Sequence, residues 1–225
     1  IYDFGEAEGT SYLVMEQVDG TSYVRRWRSI SLGERLKILA GVAEALDYAH
    51  HQGVIHRDVK PGNVLLTAAD APKLSDFGLS LLAEQDDAAG VVRGTPHYMS
   101  PEQAKGLRLT YKTDLYSLGV MLFESVTGSV PFSGSPMTVM AQHANSPVPP
   151  IQAQEGSVSP ELERLILGLL AKRPEDRPAS GRAVAEILRV EAAKLLGDVE
   201  APAPAEPLPD VEPGLDLGAL AELGE

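Results

Sequence analysis

Leu32, Leu36, Leu39, Ala43 and Leu46 recur at the three-to-four-residue spacing of one helix face, and Gly53 follows as a stop. Ser31 and Glu34 stand just ahead of them at capping-box spacing, which satisfies free amides at a helix start. Residues 114–124 are apolar on most faces and predict a buried helix that Asp114 can cap and Gly128 ends. Residues 136–145 predict a short helix. Leu162, Leu165, Ile166, Leu169 and Leu170 line the apolar face of another, opened by Ser159-Pro160, and Ser180 caps a last helix to about Leu196. Strand signals are fewer. Residues 1–5 and 12–18 are short apolar runs joined by polar, Gly-containing GEAEGTS, and residues 64–66 and 73–75 flank an Ala-Asp-Ala turn, so both pairs predict hairpins.

With 44% hydrophobic content over 225 residues, the chain has enough apolar surface for one substantial core. The net charge of −13 is unevenly spread: from Gly197 onward there are eight Asp or Glu and no Lys or Arg, leaving −5 for the remainder. A mildly acidic body argues against nucleic acid as a partner. Alternating Pro, Ala and acidic residues over 201–213 predict a linker or tail that buries too little to fold. Leu215, Leu217, Leu220 and Leu223 beyond it have the makings of a short docking helix. No Cys is present, which excludes disulfides and fits a cytoplasmic location, and no apolar run approaches the roughly 20 residues of a membrane helix. His50, His51 and His56 have no Cys or carboxylate beside them at ligand spacing and are not read as a metal site.

The chemistry is concentrated between Val54 and Gly78. Asp58, Lys60, Asn63 and Asp76 place two carboxylates, an ammonium and an amide on a short length of chain. That set suits phosphoryl transfer, whose loose transition state asks the protein mainly to position groups and neutralise charge. His56-Arg57-Asp58 with Asn63, then Asp76-Phe77-Gly78, resembles the eukaryotic-like, bacterial-type serine/threonine protein kinases. Small-molecule phosphotransferases share the Asp and Asn spacing, but Arg57, Lys60 and Ser100-Pro101-Glu102 favour a protein substrate.

The resemblance implies an α+β, protein-kinase-like fold over residues 1–196: a mainly helical large lobe with the last two small-lobe strands and the hinge, followed by the acidic segment 197–225. It implies ATP and Mg²⁺, and protein substrates carrying Ser or Thr. Asp58 takes the role of the residue accepting the hydroxyl proton, Lys60 steadies the γ-phosphate, and Asn63 and Asp76 ligate Mg²⁺. Met15 falls at the gatekeeper, Glu16 to Val18 at the adenine-binding hinge, and Leu65 beneath the adenine. Thr95 would bond near Asp58 and Lys60. His56 would stack beneath Phe77, Asp114 would hold the backbone of the His-Arg-Asp turn, and Arg177 would pair with Glu102. Residues 79–94 correspond to the activation segment, which has no Ser, Thr or Tyr from Leu81 to Arg93; Asp86 and Asp87 are positioned to substitute partly for a phosphate. A G-x-G-x-x-G loop and a V-A-I-K lysine are not in the sequence, and it starts at Ile1, so a piece of a longer product is expected, inactive or weakly active by itself. The alternative function is a non-catalytic, pseudokinase-like scaffold.

Overall fold

A computed structural model describes residues 3–7, 10–77, 96–153 and 158–197. The chain opens with the antiparallel hairpin β1 (Asp3–Ala7) and β2 (Thr10–Val14), in which Gly5 is opposite Tyr12. The second strand is shorter than its apolar run predicts. After Val14 the chain leaves the hairpin, and Met15, Glu16 and Gln17 are exposed. It next forms β3 (Gly20–Ser22), the edge of a three-stranded antiparallel sheet with β4 (Val64–Thr67) and β5 (Pro72–Leu74). β4 and β5 are the predicted second hairpin. β3 has no apolar residue to announce it, and Gly20 is required there because a Cβ would lie 1.8 Å from the Leu66 carbonyl oxygen.

A short helix α1 (Tyr23–Arg26) and a 3-10 turn lead into α2 (Leu32–His51). The capping box forms as its spacing predicts: Glu34 N–H donates to Ser31 Oγ (3.3 Å) and Ser31 N–H to Glu34 Oε2 (2.7 Å). Leu36, Leu39, Ala43 and Leu46 are fully buried. The helices that follow are α3 (Pro101–Ala104), α4 (Tyr111–Thr127), α5 (Pro136–Asn145), α6 (Pro160–Leu169) and α7 (Gly181–Leu196). α4 is the central helix, buried along most of its length, and Gly128 ends it in the left-handed region at φ 77°. It starts three residues earlier than predicted, with Thr110 at the N-cap position, so Asp114 lies inside the first turn and its carboxylate is used elsewhere. α7 runs along α2 in the opposite sense: its first residue, Gly181, meets Ala43 and Asp47, whereas Leu195 and Leu196 meet Gly33. One apolar core joins α2, α4, α6 and α7. Among the described residues no helix is long and apolar enough to cross a membrane.

Candidate active site

The loop after α2 is suspended from α4. Asp114, fully buried, accepts from the backbone N–H of His56 on Oδ2 (2.9 Å) and of Arg57 on Oδ1 (2.8 Å), and His50 Nε2 bonds Oδ2 as well (2.8 Å). A carboxylate oxygen only accepts here, so His50 Nε2 is the donor of this bond, and among the described residues the buried His50 Nδ1 has no hydrogen-bond partner. Arg57 has φ 69°, which an L residue adopts at a cost. Asp114 on its N–H and the Gln103 side chain on its carbonyl (2.7 Å) offset that cost. Gln103 was not legible as a loop contact; the signal lay in its Ser-x-x-Gln spacing from Ser100, a capping box that fixes α3 and aims the amide.

Asp58 therefore leaves the loop at a fixed point. Its Oδ2 accepts from Lys60 Nζ (2.5 Å) and Asn63 Nδ2 (3.1 Å), while Asn63 Nδ2 also reaches the Asp58 carbonyl (2.8 Å). Among the described residues Oδ1 has no hydrogen bond, and the side chain is 39% exposed. A partly exposed carboxylate with one oxygen gripped and the other open is placed to receive a hydroxyl proton. Asn63 is buried in a 3-10 turn, Pro61–Asn63, and commits its amide nitrogen to Asp58, so the amide oxygen is the group left for a cation. The Ser75 N–H donates to the Asn63 carbonyl (2.9 Å), which puts Asp76 directly beyond Asn63. Asp76 sits at φ 62°, a conformation Asp tolerates, and among the described residues its carboxylate is hydrogen-bonded only by Ser75 Oγ, at 3.4 Å. One carboxylate and one amide oxygen are the hard, sparse donor set that Mg²⁺ takes alongside phosphate oxygens and water. No three His, Cys, Asp or Glu cluster as a metal cage among the described residues.

His56 lies under this pair, fully buried. Its Nε2 donates to the Ser75 carbonyl (2.9 Å), and its ring is 4.5 Å from that of Phe77. Of the residues expected at the hinge, Met15 is 41% exposed and Val18 half-buried, and the Glu16 carboxylate takes Lys73 Nζ (2.5 Å), an ion pair the sequence did not announce. Leu65, half-buried on β4, pairs with Ser22 of β3, the strand that follows Val18. Gly78, Thr95 and residues 79–94, with Asp86 and Asp87, lie outside the described residues.

The segment from Pro96 to Tyr98 is fixed from two sides. Ser117 Oγ donates to the Tyr98 carbonyl (2.7 Å), and the Tyr98 hydroxyl donates to Glu124 (2.5 Å), whose own affinity for a proton is raised by burial. His143 Nε2 donates to the His97 carbonyl and its Nδ1 accepts from the Tyr116 hydroxyl, each at 2.9 Å. Burial pushes the His143 pKa down to about 4. Arg177 and Glu102 form a bidentate pair (2.7 and 2.8 Å), both buried. Burial alone would raise the Glu102 pKa, but the Arg177 guanidinium outweighs it and holds the carboxyl below its usual range.

Residues 1–189 match the family model described as protein kinase domain. The chain is 39% identical over 219 residues to the serine/threonine-protein kinase PknB of Mycobacterium leprae and 38% identical over 220 residues to that of Mycobacterium tuberculosis, in each case covering 89% of this chain and 35% of the relative. It is 40% identical over 201 residues to the serine/threonine-protein kinase pkn3 of Myxococcus xanthus, covering 81% of this chain and 37% of that protein. The chain thus spans about a third of the length of these curated relatives.

Proposed function

The chain belongs to the protein kinase domain family, and from that premise we propose that its protein transfers the γ-phosphate of ATP to a Ser or Thr hydroxyl of a protein substrate. The observation that carries this reading is the Asp58 carboxylate, with Oδ2 gripped by Lys60 and Asn63 and Oδ1 without a hydrogen bond among the described residues. In this reading Asp58 orients the incoming hydroxyl and takes its proton. Lys60 lies beside it to meet the transferred phosphoryl group, and Thr95 contributes to the choice of Ser and Thr. The Asn63 amide oxygen and the Asp76 carboxylate hold Mg²⁺, which supplies neutralisation of phosphate charge. Met15 bounds the adenine site, the backbone of Glu16 to Val18 bonds the base, and Leu65 lies beneath it; the Ser22–Leu65 register supports that last role, because it sets Leu65 against the hinge. The Glu16 side chain is occupied by Lys73, which leaves its backbone for the base. The acidic body disfavours nucleic acid as the acceptor, and a cytoplasmic site of action suits ATP as donor.

Residues 1–225 contain no G-x-G-x-x-G loop and no V-A-I-K lysine, so this chain alone is expected to bind Mg-ATP weakly in calorimetry. The test of function uses the chain preceded by a kinase small lobe that has both, with phosphate incorporation into protein as the readout. Asp58→Asn is expected to lower the rate by roughly 10²–10⁴-fold. Asn63→Ala and Asp76→Ala are expected to raise the Mg²⁺ concentration required, with melting temperatures little changed. A loss of only a few-fold in Asp58→Asn would overturn the assignment and leave a binding module.

A further inference from the structure

Many cations of the described surface are paired. Arg26, Lys73, Arg164, Arg173, Arg182 and Lys194 each lie within 4.0 Å of a carboxylate. Exposed Arg25, Arg28 and Lys37 have no such partner among the described residues, and the loop between α3 and α4 brings two more unpaired cations within three residues of each other. Lys105 and Arg108 are exposed, and neither has a carboxylate partner among the described residues. Lys112, at the start of α4, and Lys172, after α6, face the same region. Their ammonium groups are hydrogen-bonded only to carbonyls: Lys112 to those of Arg177 and Pro178 (2.9 and 2.7 Å), Lys172 to those of Gln142 and His143 (3.5 and 2.9 Å). These bonds satisfy donors without cancelling charge. The crowding is felt: burial first, then the neighbouring Lys105 and Arg177, lower the Lys172 pKa to about 8, and burial with Arg177 lowers that of Lys112. Nearby acids are already engaged, Glu102 by Arg177 and Thr113, Glu175 and Asp176 by Arg173. Two exposed apolar side chains accompany them, Leu107 in the loop (58% exposed) and Tyr111 at the first position of α4 (38%).

We propose that Lys105, Leu107, Arg108 and Tyr111, with Lys112 and Lys172 behind them, form a docking surface for the chain's own acidic segment, residues 198–225. The segment complements the surface in both respects. It carries eight carboxylates and no cation, and Leu215, Leu217, Leu220 and Leu223 are interspersed among Asp216, Glu222 and Glu225. Covalent geometry permits the reach. α7 ends beside Gly33 at the start of α2, and Tyr111 packs against His50 at the other end of α2, 5.6 Å between rings, so about 30 Å of helix separates them. The 18 residues from Gly197 to Leu215 span up to about 60 Å. Tethering supplies a high effective concentration, so individually weak exposed ion pairs suffice in combination. The surface adjoins the catalytic loop, since Gln103 of α3 holds Arg57 two residues before Lys105. None of this rests on the kinase reading.

The test is zero-length carbodiimide cross-linking of the intact 225-residue chain, in which a carboxylate is activated and a lysine amine in contact forms an amide. The segment lacks Lys and Arg, so trypsin releases everything after Lys194 as one peptide, and its links are readily mapped. Links from Lys105 to carboxylates in 206–225 are expected within the monomer. Raising salt from about 0.1 to 1 M, which shortens the screening length from roughly 10 to 3 Å, should suppress them severalfold. Arg108→Glu, a change at an exposed position, should lower the Lys105 yield by about tenfold while the melting temperature holds. The proposal is overturned by links confined to Lys37 and Lys194, which merely lie near the end of α7. It is equally overturned by a yield indifferent to Arg108→Glu, or by links found only in covalent dimers, which would assign the surface to a second copy.

Discussion

His143 commits both ring nitrogens, one to the His97 carbonyl and one to the Tyr116 hydroxyl, in a site closed by the Phe132 ring at 4.9 Å. Only the neutral imidazole fits that arrangement, because protonation would turn the acceptor nitrogen into a second donor facing a hydroxyl. Its folded pKa of about 4 lies below the ordinary value of 6.5, so the unfolded chain binds the extra proton first. Stability from this residue is therefore complete above about pH 6.5 and declines as pH falls toward 4, by at most about 3 kcal/mol. Urea midpoints measured from pH 7 to 4 should fall steeply in the native chain and less steeply in His143→Gln. Equal slopes would show that the imidazole is not the titrating group. At this scale the sequence was legible where a motif carries spacing: Asp114 and His56 hold the contacts their motif implies. His143 was not legible, since nothing local to it signals that a carbonyl 46 residues away needs a donor.

Two glycines separate the requirements of helix packing from those of helix formation. A Cβ at Gly181 would lie 2.3 Å from the Ala43 carbonyl oxygen, so α7 could not keep its approach to α2. At Gly168, in the last turn of α6, a Cβ would meet nothing within 4 Å. Gly181→Ala is expected to destabilise by about 1–3 kcal/mol through the forced shift. Gly168→Ala should stabilise by about 0.5–1 kcal/mol by restricting the unfolded chain. Opposite signs from one chemical change, read by thermal unfolding, check the packing directly. α2, α6 and α7 were legible because each announces itself twice, by apolar spacing and by a cap; Ser31, Ser159 and Ser180 all accept from the amide three residues on, whereas the four-residue α1 and α3 are too short to show a period and were not predicted. β3 failed both tests. Gly-Thr-Ser has no pattern, and it becomes a strand only because β4 offers it a free edge.

Across the whole molecule, residues 75 apart in sequence close the helical body: Arg177, ahead of α7, grips Glu102 of α3 and also donates to the carbonyls of Ala171 and Lys112. Truncating one member strands the other as a buried charge, at about 3–5 kcal/mol. Arg177→Ala should thus lower the melting temperature by roughly 10 °C, and Arg177→Lys should recover little, because a point charge cannot make the paired bonds of a guanidinium. A loss within 2 °C would mean that the pair is replaceable by solvent. The pair was legible because the sequence resembled a known family, whereas the cation cluster around Lys105 was not. Its residues are scattered from 105 to 172, and only the fold shows that no carboxylate among the described residues pairs with Lys105 or Arg108.

The suspension of the His56–Asp58 loop from Asp114 has a consequence in time. Loop amides ordinarily trade their hydrogens with solvent almost as fast as an unfolded chain does. Those of His56 and Arg57 donate instead to a carboxylate with no solvent access, so deuterium can enter only when the loop and α4 part. Their exchange should be slowed to the pace of the α4 interior, on the order of minutes to hours, while the amides of Gln52 and Gly53 just upstream, exposed residues that donate only to carbonyls of the last turn of α2, exchange far sooner. In Asp114→Asn, which keeps one acceptor oxygen of two, at least one of the pair should accelerate, marking how long the loop stays in register with the helix that carries it.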